Sequence, residues 1–128
     1  MIQQITEGVK ISIQSHFESS FYDGKDLRFR FNYNIEIENN NPHPVKLISR
    51  KWTILDALNK IDTIKGEGVV GKQPVIRPFK SYRYNSDCAL KGPMGSMKGV
   101  YKMLRLSDNQ EFEVTIPNFR LCADFAQN

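Results

Sequence analysis

The chain has 128 residues, which gives room for one compact domain and none for a second full core. Its 40% hydrophobic and 25% charged residues are those of an ordinary globular protein and exclude a low-complexity chain. The net charge of +4 is too small to nominate nucleic acid by itself, but it is unevenly spread. From Lys65 to Arg105 there are nine basic and two acidic residues, so that stretch carries +7, the remainder carries −3, and six of the eight glycines fall inside it.

The first residues, Met-Ile-Gln-Gln-Ile-Thr-Glu-Gly, carry no basic segment followed by an apolar run, which predicts the absence of a secretory signal. No apolar run approaches the ~20 residues of a membrane helix. Cys88 and Cys122 have neither Cys-x-x-Cys nor Cys/His ligand spacing, so free thiols in a reducing cytoplasm are expected.

Taken in chain order, Val9, Ile11, Ile13 and Phe17 form the apolar side of a first alternating run, with His16 on the other side. Tyr22-Asp23-Gly24-Lys25 reads as a hairpin tip. Leu27, Phe29, Phe31, Tyr33, Ile35 and Ile37 then alternate with polar residues, a period of two that no helix produces. Asn39 to Pro44 can continue neither strand nor helix. From Val45 the apolar parity switches between Leu47 and Ile48 and runs on through Trp52 and Ile54, predicting a bulge or a change of sheet. Leu55 to Lys60 has the composition of a single helical turn. Further strands are expected at Ile61–Lys65, Phe79–Tyr84, Met97–Leu106 and Phe112–Ile116, with Phe79, Tyr82, Tyr84 and Tyr101 inward and a turn at Ser107-Asp108-Asn109. About seven strands with almost no helix predict an all-β antiparallel sandwich spanning residues 1–128 as a single domain.

Gly66-Glu67-Gly68-Val69-Val70-Gly71 spells the G-x-G-x-x-G of dinucleotide-binding turns. That chemistry needs a helix opening at the third glycine, and Pro74 and Pro78 leave no room for one. A P-loop fails for the same reason and because Gln73 stands where a hydroxyl should bind magnesium. Two readings of the loop remain. It forms a nest of backbone N–H groups for a phosphate or nucleotide, with Lys65, Gly66, Gly68, Gly71, Lys72 and Arg77 as the anion-binding set; or it is a tightly turning connection with solvated basic side chains.

No catalytic set emerges from Cys88, Ser49, Ser86 or Ser96, and none of them sits in an elbow motif. Isolated His16 and His43 make no metal-ligand set. The basic residues from Arg77 to Arg105 interleave with aromatics, but in alternating strands the aromatics turn inward, which argues against nucleic acid. An exposed edge strand would allow a homodimer.

Four segments together resemble the ApaG family: Ser49-Arg50-Lys51-Trp52 with Asp56; Gly66 to Pro74; Gly95-Ser96-Met97-Lys98-Gly99-Val100-Tyr101-Lys102-Met103; and Pro117-Asn118-Phe119-Arg120-Leu121. Lys51 departs from the histidine many members carry, and Ser86-Asp87-Cys88 stands where Ser-Gly-Cys is common. The resemblance implies a fibronectin type III-like sandwich without an established enzymatic activity and without a cofactor. It also implies an association with cobalt resistance and magnesium efflux, and a role as an interaction module for a protein partner. Arg50, Trp52, Gly95, Ser96 and Gly99 are then candidate partner contacts, since Trp and Arg are favoured interface anchors. Trp52 on a central strand is equally the plug of an inter-sheet core.

Overall fold

The structure, a computed structural model, describes residues 1–59 and 61–123. Its nine strands are β1 (Ile2–Thr6), β2 (Val9–Asp23), β3 (Asp26–Asn39), β4 (Val45–Asp56), β5 (Asp62–Glu67), β6 (Val75–Ile76), β7 (Ser81–Leu90), β8 (Met94–Arg105) and β9 (Gln110–Cys122). They form two antiparallel sheets, one ordered β1-β2-β3-β7 and the other β5-β4-β8-β9, with β6 also paired to β4. The all-β sandwich expected from alternation is the fold observed.

The alternation is realised directly. Phe29, Phe31, Tyr33, Ile35 and Ile37 of β3 are buried against Leu47, Trp52, Met97, Tyr101, Met103, Val114, Ile116 and Phe119 of the facing sheet. The parity switch after Leu47 is a register irregularity between Leu47 and Ser49 in the β4–β8 pair, and it keeps apolar residues inward on both sides of the break. The Asp23–Asp26 pair closes the β2–β3 hairpin around Gly24.

Two strands lie outside the seven expected. β1 is polar and exposed and is held by a two-residue turn at Glu7-Gly8, both with positive φ, which suits the twist of a hairpin. β6 is only two residues long. Ala57 to Asn59 form a turn rather than a helical one, and Lys60 lies outside the described residues. Phe79 is a correction: it sits before β7 in a turn, with φ +61 and 67% exposure, so it does not share the inward face of Tyr82 and Tyr84. Fully buried Asn39 explains that turn. Its amide donates to the carbonyls of His43 (2.8 Å) and Ile76 (3.0 Å), while its backbone carbonyl accepts from Phe79 N–H (2.7 Å). One buried asparagine thus anchors the 39–44 loop, β6 and the 77–80 turn, with its polar atoms satisfied.

The two sides of the sandwich differ. On one side β1 and β2 cover β9: Ser15 Oγ donates to the Arg120 carbonyl (3.2 Å), and Thr115 N–H donates to Thr6 Oγ1 (3.3 Å). The other side ends in the sheet edges β5 and β7.

Candidate functional site

The glycine-rich segment begins at the end of β5 and runs beside β4. Gly66 lies opposite Arg50 in the ladder, and a Cβ there would meet the Arg50 guanidinium at 2.9 Å. Arg50 Nη1 lies over this bare backbone and donates to the carbonyls of Glu67 (3.0 Å) and Gly68 (2.7 Å). Gly68, at φ +58, brings its Cα so near the Lys72 carbonyl that a Cβ would sit 1.9 Å from that oxygen. Val69 and Lys72 exchange two backbone hydrogen bonds (2.7 and 2.9 Å) around Val70-Gly71, both at positive φ, which makes a tight two-residue turn.

The loop therefore turns two carbonyls toward a cation and spends the N–H groups of Gly68, Val69 and Lys72 on the carbonyls of Ile48, Lys72 and Val69. No helix follows it; Val75–Ile76 enters β6 instead. Of the expected anion-binding set, Lys65 and Gly66 line a shallow groove of about 630 Å³ together with Arg50, Lys51 and Lys102. Lys72 and Arg77 are exposed elsewhere on the loop and do not line it. Arg83 is on the other sheet, ion-paired with Glu36 at 2.5 Å.

The expected partner contacts are placed by packing. Trp52 is 3% exposed and stacks among Tyr33 (5.7 Å), Phe119 (6.0 Å) and Tyr101 (6.5 Å), so its ring is a core plug that a partner does not reach. A Cβ at Gly99 would fall 2.4 Å from the Lys51 carbonyl and 3.2 Å from Trp52 Cε3, and one at Gly95 would fall 2.3 Å from the Leu55 carbonyl. Those two glycines let β8 lie close to β4, Gly99 beneath the tryptophan and Gly95 at the far end of the strand pair beside Leu55. Ser96 is half-buried and lines a groove with Leu55, Met94 and Arg120.

Two constellations escaped the sequence reading. Asp56 accepts three backbone N–H bonds, from Leu58 (3.1 Å), Lys91 (2.6 Å) and Gly92 (3.0 Å), and so ties the β4–β5 turn to the β7–β8 turn. Asp followed two residues later by a turn residue was the available signal, but its long-range half has none. The second is a polar cluster inside the sandwich: the Tyr84 and Tyr101 hydroxyls hydrogen-bond each other, and Ser86 stands opposite Tyr33 in the β3–β7 ladder. Burial pushes all three phenols above the usual tyrosine range, with the Arg50 charge pulling the other way. Burial likewise pushes the Cys88 thiol up to about 12, and its Sγ sits 3.6 Å from Met97 Sδ. A thiol so far from ionisation is a packing group at neutral pH.

Residues 19–105 match the family model described as the ApaG domain. The chain belongs to the ApaG family. It is similar to Protein ApaG of Anaeromyxobacter dehalogenans, at 40% identity over 94% of each chain. A structural genomics X-ray structure superposes with a TM-score of 0.87 at 32% identity, covering 91% of this chain and 88% of that one. A crystal structure of the putative ApaA protein from Bordetella pertussis superposes at 0.79 with 30% identity, covering 91% and 94%. The ApaG motif residues of this chain thus fall into two groups. Arg50, Trp52, Asp56, Gly66, Gly68, Gly95 and Gly99 hold strands and turns together, whereas Lys51, Lys98, Val100 and Lys102 face solvent or are half-exposed.

Proposed function

We propose that this ApaG-family chain is a non-catalytic protein-interaction module, acting in the cytoplasm in a process tied to divalent-cation homeostasis. The observation that carries the reading is the open edge at β5. Among the described residues β5 pairs only with β4, and five of its six residues are exposed. Ile64 lies opposite Trp52 on the core-facing side yet is 43% exposed, and Leu58 and Ile61, in the segment that leads into β5, are 69% and 66% exposed. An unpaired edge flanked by apolar side chains is a template for a partner's strand or loop. The cation link comes from the family resemblance.

The test is affinity capture from the native host with the unaltered chain and with the Leu58→Glu/Ile61→Glu double variant. Alongside it, growth of a host lacking the chain is followed under added cobalt and depleted magnesium. The expected result is a reproducible partner that the variant loses and a cation-sensitive host that the variant does not rescue. Capture of no reproducible partner, or a partner retained by the variant, refutes the reading.

A further inference from the structure

The outer face of the β5-β4-β8-β9 sheet carries a concentration of positive charge that no strand shows alone. Lys51 of β4 is directly opposite Lys65 of β5 on one side and Val100 of β8 on the other. Along β8, Lys98 and Lys102 flank Val100, so both are diagonal neighbours of Lys51. Side chains directly opposite in an antiparallel pair stand ~5 Å apart at Cβ and diagonal ones ~7–8 Å, and like charges placed so repel. All four lysines are exposed. The ion pairs among the described residues involve Lys10, Arg28, Arg83 and Arg105, and none reaches these four. Glu67 and Glu113 stand at the two ends of the adjoining row, opposite Ser49 and Lys102, and neither forms an ion pair with a lysine of the cluster.

We propose that this face binds an acidic, extended segment of a protein partner, an inference that rests on the interaction-module reading above. The geometry specifies the segment. Alternate side chains of an extended chain repeat every ~6.6 Å, so a stretch lying along β8 with the pattern acid-x-apolar-x-acid sets its small apolar residue over Val100. Its two carboxylates then reach Lys98 and Lys102, and Lys51 lies within reach of both. Thr53 and Thr115 beside the groove offer hydroxyls to its backbone. Single-stranded nucleic acid fits less well. The aromatic rings of these strands (Trp52, Tyr101, Phe112 and Phe119) pack into or against the core, so this face lacks a stacking platform, and Glu67 and Glu113 would oppose a continuous run of phosphates.

The experiment is fluorescence anisotropy with a labelled peptide containing Glu-Thr-Val-Thr-Glu, its Gln-Thr-Val-Thr-Gln counterpart, a single-stranded oligonucleotide and anionic lipid vesicles. The proteins compared are the unaltered chain, Lys51→Glu/Lys102→Glu, and Lys25→Glu at the far β2–β3 tip. The acidic peptide is expected to bind, to weaken as salt rises, and to lose about tenfold or more in affinity with the double variant and none with Lys25→Glu. Lys51→Glu places an opposite charge across from Lys65 whereas Lys102→Glu faces Glu113, so thermal melting of the double variant verifies that the fold is retained. Equal binding of the glutamine peptide, unchanged binding by the double variant, or tighter binding of oligonucleotide or vesicles overturns the proposal. So does absence of peptide binding. In that case, a host partner captured by the unaltered chain and equally by Lys51→Glu/Lys102→Glu leaves the module reading standing on the β5 edge, while failure of the unaltered chain to capture any partner removes both.

Discussion

Replacing Gly68 and Gly71 separately by alanine measures what the glycine motif does for this chain. Both have positive φ, +58 and +75, so each alanine enters the left-handed region. That costs about 1–2 kcal/mol, partly offset by the ~0.4–1 kcal/mol that alanine removes from unfolded-chain entropy. At Gly71 nothing lies within 4 Å of the new Cβ, so the expected loss stops there, at about 1 kcal/mol. At Gly68 the new Cβ lies 1.9 Å from the Lys72 carbonyl oxygen and 2.6 Å from its carbon, both backbone atoms that move only if the turn opens. Opening breaks the two Val69–Lys72 hydrogen bonds, about 1 kcal/mol each, and uncovers Val69, which is fully buried. Exposing a valine adds about 1.5 kcal/mol or more, so Gly68→Ala is expected to lose about 3–5 kcal/mol in all. Urea unfolding of the three proteins side by side reads the difference. Equal losses at the two positions would refute the close-approach argument, and loss of phosphate binding without loss of stability would return the motif to an anion-binding role.

Three further outcomes are expected. Asp56→Asn keeps the shape but converts one accepting oxygen into a donor facing backbone N–H groups, at a cost of about 1–3 kcal/mol, whereas Asp62→Asn on the exposed edge is expected to cost almost nothing; chemical denaturation separates them. The raised Cys88, Tyr33, Tyr84 and Tyr101 make the fold sensitive to alkali: the unfolded chain ionises these groups first, so stability is full below the ordinary thiol value of 9.0 and falls as pH rises toward about 12. A urea midpoint that stays flat over that range would contradict the burial of the cluster. Lys51→Gln removes the like-charge pair with Lys65 and is expected to raise stability by a few tenths of a kcal/mol in low salt, a gain that vanishes in high salt.

What could be read from residues alone followed from how local each signal was. The six-fold alternation of β3 needs only the chain itself, and the parity switch at Leu47 announced its irregularity in the same way. The Phe79 assignment failed because the turn is dictated by Asn39, forty positions earlier, whose carbonyl holds the Phe79 N–H. The short β6 depends on Val45 and Lys46 presenting an edge, which no pattern within Val75–Ile76 encodes. At the site, Arg50 looked like a surface anchor because arginine so often is one. Only the register that sets it opposite Gly66 shows that its guanidinium closes the glycine loop.

The basic stretch from Lys65 to Arg105 shows the same dependence in its charge. On the folded chain Arg83 belongs to the other sheet with Glu36, and Arg105 is held by Asp108 in the following turn (2.9 Å). Lys72 and Arg77 stay on the glycine loop and its exit. What concentrates charge is cross-strand register, which gathers Lys65, Lys98 and Lys102 around Lys51, a residue from outside the stretch. Gly99 permits that gathering by letting β8 lie tightly along β4, and Gly66 leaves room on β5 for the Arg50 guanidinium. The motifs that invite a phosphate reading therefore build the sheet, and the sheet sets four lysines without an ion pair side by side, with Glu113 opposite Lys102 at one end of the cluster. An interaction surface of this kind carries a small, salt-dependent instability in the free protein, so stability and acidic-partner binding should move in opposite directions when Lys51 is neutralised.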